Sequence, residues 1–423
     1  MAFRSRKLAK ALALAVPCSS FVCPSQVYCA IHRWQVDGLD GLYNDETKDL
    51  YIDGGGKIDK NSFKNTTSFP VKDVKRILIG TGLIVCDNAF ADFDSLESVI
   101  ISYPRPGLHL SLRKNGYSQI LRHLIESYHA ERKIGEDAFR NHKNLTNVTI
   151  LKYVTEIENY AFYGCESLEE VKLPESLLKI GIHAFRFCKN LKSIIIPNSV
   201  TEIRDSAFYS CGSLKEVQLS ESLLKIGEST FQHCKNLKSI IIPNRVTEIW
   251  KCAFYDCKSL EEVQLPESLL KIGESTFDHC KNLKSIIIPN RFTEIGDYAF
   301  HCCTSLEEVQ LPESLLKIGK STFQHCTALK KIIIPNSVTE IGDCAFYGCT
   351  SLENIQLPES LLKIGESTFQ HCTALKKIII PNSVTEIGDY AFYCCKSLVE
   401  ARVSKTAKIG KNAFPSTTEV IRC

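Results

Sequence analysis

Between Leu260 and Cys280 the apolar positions change spacing, and each spacing predicts a different element. In L-x-x-V-x-L over 260–265, Val263 and Leu265 alternate with polar neighbours, as in a short half-buried strand. Pro266 has no N–H to donate, so a ladder stops there. Leu269–Ile272 reads as a second extended piece that ends at Gly273. The Ser-Thr-Phe-x-His-Cys stretch over 275–280 reads as a tight helical turn dropping Phe277 and Cys280 inward.

This pattern returns every 23 residues: Cys165, Cys188, Cys211 and onward to Cys395, Phe162 to Phe392 with Phe139 leading, and Ile134 to Ile387. Proline keeps the same beat from Pro174 to Pro381, with Ser220 standing in once. A unit this short cannot bury its own apolar side, so neighbours must stack into a solenoid. A length of 423 would otherwise suggest about three domains. The period instead makes 134–423 one elongated body of about twelve turns.

The exposed positions repeat every 46 residues. Before the recurrent Ile, the chain reads Lys179, Glu202, Lys225, Glu248, Lys271, Glu294, Lys317, Glu340, Lys363, Glu386, which sets opposite charges side by side along the stack. Each exposed pair contributes only a few tenths of a kcal/mol, but a one-turn slip would set like against like, so the ladder's main effect is on register. A second, looser ladder runs Glu261, Lys284, Glu307, Lys330, Glu353, Lys376. Outward positions of the main strand form two columns. One contains Glu262, Ser285, Glu308, Lys331, Asn354 and Lys377; the other alternates Ile195, Ile241, Ile287, Ile333 and Ile379 with Gln218, Gln264, Gln310 and Gln356. An outward Ile on alternate turns reads either as β-propensity on a half-wet strand or as a contact stripe for a protein ligand. Tyr163, Tyr209, Tyr255, Tyr347 and Tyr393, each just after the core Phe, form a second candidate face or a record of duplication.

The stretch Leu329–Cys349, with L-x-x-I-x-I-P-x-S-V-T-x-I-G-x-x-A-F-x-x-C, resembles the 23-residue repeat of BspA-type leucine-rich repeat proteins. The resemblance covers well over half of the chain. It implies a right-handed horseshoe of short parallel strands with short helical or extended outer segments, and surface proteins that adhere to host or matrix proteins or to other cells. It also implies a strand-rich N-terminal cap, matched here by Leu50-Tyr-Ile-Asp-Gly-Gly-Gly56, Phe69-Pro70 and Ile77–Gly80, so residues 31–85 are assigned to that cap. Asp87–Phe90 and Leu96-x-x-Val99-x-Ile101 then make a degenerate first repeat over 86–133. Phe90 and Phe139 are 49 residues apart, so 102–133 holds a worn turn or an insertion, with an amphipathic helix expected at Ile120–Tyr128.

Composition narrows the chemistry. The net charge of +3 gives no claim on nucleic acid, and no stretch approaches a membrane-spanning length. Eleven of the 20 cysteines keep the 23-residue phase, with side chains expected parallel and buried, so they read as core and not as disulfides. No C-x-x-C occurs. His279, Cys302 and His325 fall on adjacent turns, yet a metal wants convergent ligands and these should point in parallel. No metal or cofactor site is therefore expected. Nor does any catalytic motif appear: G-x-S-x-G, H-E-x-x-H and the phosphate-cradling loop are all missing, and nearly every polar residue of the array has copies where catalysis needs one asymmetric cluster.

Residues 1–30 combine Arg4, Arg6, Lys7 and Lys10 with an Ala-Leu-rich run and read as a secretory signal, with an organellar transit peptide as the alternative. The expectation is a non-enzymatic protein-binding module, secreted or on the cell surface. An intracellular scaffold is the alternative, and self-association is a further one, prompted by the array's abrupt C-terminal end.

Overall fold

The computed structural model describes residues 31–36, 39–54, 56–64, 69–80, 83–101, 133–150 and 154–423. The helix expected at 120–128 and the segment 1–30 lie outside them. The described chain is a parallel β-solenoid of about 14 turns. Each turn contributes two short strands, one from the V-x-L or I-I stretch and one from the Lys-Ile or Glu-Ile pair. The two-residue strands stack into a six-stranded sheet from Gly56–Ile58 to Glu202–Ile203 and a nine-stranded sheet from Lys225–Ile226 to Lys408–Ile409. The longer strands form a seven-stranded sheet up to Glu170–Lys172 and then pair mainly two by two, Ser239–Ile241 with Glu262–Gln264 for example.

The outer segment is not helical. Among the described residues the only helix is the 3-10 turn Val71–Asp73. In the 275–280 stretch Ser275 and His279 have φ of 53° and 61°, and left-handed residues four apart stop a right-handed helix. The N–H groups of Ser275, Phe277 and His279 instead donate to Asp297, Ala299 and His301 of the next coil, at 2.9, 2.9 and 2.8 Å. Backbone that would have bonded within a helix bonds between coils.

This stacking fixes the interior. Fourteen phenylalanines from Phe90 to Phe414 form one column, with neighbouring ring centroids 5.0–5.6 Å apart. Beside it run the eleven in-phase cysteines, all fully buried. Each thiol points at the Phe carbonyl of the preceding coil, Cys280 Sγ to Phe254 O at 3.3 Å for instance. Burial pushes the thiols of the ten from Cys165 to Cys372 well up, Cys349 to about 12. His142 fills the cysteine place in an early turn, its Nε2 2.8 Å from Phe90 O.

Two features of the N-terminal part emerge only from the register. Ile31–Val36, Leu39–Asn44 and Asp49–Gly54 form an antiparallel meander, but Asp49–Gly54 already pairs parallel with Arg76–Ile79, so coiling starts inside the 31–85 stretch. Ser98–Ile101 pairs directly with Asn147–Ile150, and Phe90 stacks on Phe139 at 5.1 Å. Among the described residues, no coil lies between them.

The main charge ladder is realised in part. Lys179 lies 3.3 Å from Glu156 and 3.7 Å from Glu202, and Lys317 lies 4.0 Å from Glu294 and 3.4 Å from Glu340. Glu248 instead accepts from Trp250 Nε1 at 3.0 Å, with Lys225 over the indole ring. In the second ladder Glu261 and Lys284 meet at 2.9 Å.

Candidate functional site

Alternation on the three-residue strands decides what reaches solvent. In Ser239-Ile240-Ile241 the central Ile is buried and the flanking residues point out. Ile195, Ile241, Ile287, Ile333 and Ile379 are accordingly 64, 63, 62, 58 and 68% exposed. Their cross-strand partners are Gln218, Gln264, Gln310, Gln356 and Arg402. Glu262, Ser285, Glu308, Lys331, Asn354 and Lys377 are exposed alongside. The result is an apolar knob on every second coil, about 10 Å apart, set among amides and charges on a hydrogen-bonded scaffold.

A second apolar column was not legible as such in the sequence. Leu178, Leu224, Leu270, Leu316 and Leu362 are 45–56% exposed. Each is the second member of a Leu-Leu doublet whose first member is buried, and the doublet every 46 residues is the signal that would have revealed it.

The tyrosine positions lie elsewhere, on a ridge of rings. Tyr163, Tyr209, Tyr255 and Tyr347 are half-buried, and Tyr393 is exposed. Tyr209, His233, Tyr255, His279, His301, His325, Tyr347 and His371 follow one another at centroid distances of 5.3–6.1 Å. The ridge continues from Tyr209 through Phe187 to Tyr163, and Arg186 lays its guanidinium 4.0 Å from the Tyr209 centroid. Rings occupied with one another offer less free surface than the Ile column.

At one place on the ridge, side chains converge, contrary to the expectation of parallel ligands. The donor atoms of His279, His301 and Cys302 lie within 4.8 Å of one another. His325 is not in this group, and His301, one position outside the histidine–cysteine column, completes it from the side. Asp278, buried, accepts from His279 Nδ1 at 2.6 Å and His301 Nδ1 at 2.8 Å. Burial alone would lower the His301 imidazole, but the hydrogen bonds to Asp278 and Cys302 outweigh it and raise it to about 9.

The BspA-type leucine-rich repeat model matches this chain in six copies, over residues 132–249, 225–332 and 316–421. The chain belongs to the BspA-type leucine-rich repeat family. Among solved structures, a leucine-rich repeat protein from Bacteroides ovatus is 27% identical and superposes with a TM-score of 0.70, covering 92% of this chain and 99% of its own. The pneumococcal vaccine antigen PcpA is 20% identical, with a TM-score of 0.50 and 92% of each chain covered. A leucine-rich cell surface protein from Faecalibacterium prausnitzii is 23% identical, with a TM-score of 0.46 and coverage of 92% and 94%. No curated protein matches the chain. As a BspA-type repeat protein, it has the architecture of an interaction module, and among its described residues no helix is long and apolar enough to cross a membrane.

Proposed function

We propose that this BspA-type protein is a secreted or cell-surface adhesion module that binds a protein ligand along the Ile–Gln column. The observation that carries the reading is the run of five isoleucines, each 58–68% exposed, on alternate coils of one rigid stack. An isolated exposed Ile is ordinary, whereas a regular series on a preformed surface supplies repeated weak contacts whose effects multiply when engaged together. The outward location is supported by the basic, Ala-Leu-rich start of the chain and by the vaccine-antigen description of the pneumococcal protein it resembles.

The test is the triple variant Ile241→Lys, Ile287→Lys, Ile333→Lys, assayed against a panel of immobilised matrix proteins and whole cells. Each Ile buried at an interface is worth about 1.5–3 kcal/mol, so binding should weaken at least about 100-fold while the far-UV spectrum is unchanged. Unchanged adhesion would move the binding face to the tyrosine ridge. Fractionation with N-terminal sequencing of the mature protein separates export from an intracellular scaffold.

A further inference from the structure

Two residues depart from the repeat, and they meet. In the place after the core Phe, flanking turns of one parity carry Tyr255 and Tyr347, whereas the turn between them carries His301. In the other parity the flanking turns carry Gln232 and Gln324, whereas the turn between them carries Asp278. The coil tolerates Tyr and Gln at these places, so packing does not demand the exchange.

What the exchange builds is a donor set. Asp278 is 6% exposed, and one of its carboxylate oxygens accepts from Nδ1 of both His279 and His301. A carboxylate on Nδ1–H fixes the ring's orientation and turns Nε2 to the metal, which takes the place of the proton there. His301 Nε2 lies 3.4 Å from Cys302 Sγ. Two ligands on one tetrahedral ion, bonded at about 2.0 and 2.3 Å, are separated by about 3.5 Å. Two imidazoles and a thiolate suit zinc and not calcium or magnesium, which take oxygen.

We infer that His279, His301 and Cys302 form a mononuclear zinc site oriented by Asp278, with a fourth position open to water. The site lies on the ring ridge and does not depend on the Ile column.

The experiment uses the full chain, reduced, stripped with a chelator and titrated with zinc chloride, with bound metal measured after desalting. The wild type should retain one zinc that His301→Tyr and Cys302→Ser do not. Asp278→Gln should bind it about 10–100-fold more weakly. His301→Tyr and Asp278→Gln install residues that neighbouring turns already carry, and unfolding midpoints check that the coil persists. Zinc should also slow alkylation of Cys302 and leave Cys394 unaffected. Cys394 holds the same place four turns later, after His371 but beside Tyr393 instead of a histidine. Equal zinc content and affinity in wild type and His301→Tyr, or equal protection of Cys302 and Cys394, would overturn the assignment.

Discussion

Cys280 is enclosed on all sides, with Phe277 one corner away and its thiol turned to the Phe254 carbonyl. A thiol held neutral and out of water does not attack an alkylating agent. Native protein treated with iodoacetamide should therefore label exposed Cys423 quickly and the eleven in-phase cysteines only on unfolding, as read by peptide mass spectrometry. Rapid labelling of Cys234, Cys280 or Cys326 would sink the packed-interior reading. His142 gives the same position a titratable group. Burial lowers its imidazole despite hydrogen bonds to backbone carbonyls, while the unfolded chain has the ordinary value near 6.5. The unfolded state therefore takes up the proton first, so this contribution is full above about pH 6.5 and is lost as pH falls below it. His142→Cys, which installs the residue of the later turns, should flatten that acid dependence of the melting temperature relative to wild type. An equal slope in both proteins would show that the buried ring is not its source. At this scale the sequence was most transparent where one residue type recurs, as for Cys and Phe. It was opaque where a residue's role depends on a neighbouring coil, as for Ser268, whose hydroxyl donates to Val246 O at 2.8 Å.

At the scale of the element, coil closure depends on how near one backbone comes to the next. A Cβ on Gly273 would lie 2.5 Å from Lys251 N and 2.8 Å from Trp250 C, both main-chain atoms that cannot swing aside. Gly273→Ala should therefore cost about 1–3 kcal/mol in urea unfolding, the usual scale for overpacking. Gly212 is the control: an added Cβ there meets nothing within 4 Å, and Gly212→Ala should stay within about 0.5 kcal/mol. Equal effects at both sites would refute close approach as the reason for glycine. Here periodicity revealed strands and turns but mistook the outer segment for a helical one, since apolar spacing alone does not report that His279 and Ser275 are left-handed. The convergence of His279, His301 and Cys302 was missed for a related reason. A column read down one position omits the residue beside it, and His301 is the odd member of the tyrosine series.

For the whole molecule, stability is a sum of coils and the contacts between them, so the 46-residue alternation is testable by deletion. Removing Lys258–Cys280 takes out one turn and sets Glu248 beside Glu294 and Lys238 beside Lys284. Removing Lys258–Cys303 takes out two turns and sets Glu248 beside Lys317 and Lys238 beside Glu307, so both ladders keep alternating. Were charge irrelevant, the shorter deletion would be the more stable, since it sacrifices one coil fewer. Like charges on adjacent strands cost roughly 0.2–1 kcal/mol per pair, so at low salt the one-turn deletion should lose part of that advantage. In about 1 M salt, where the screening length shrinks to about 3 Å, its lead over the two-turn deletion should widen. A lead that stays the same at every ionic strength would mean that the alternating charges are a relic of how the array was duplicated, and that the buried phenylalanine column holds the coils in register.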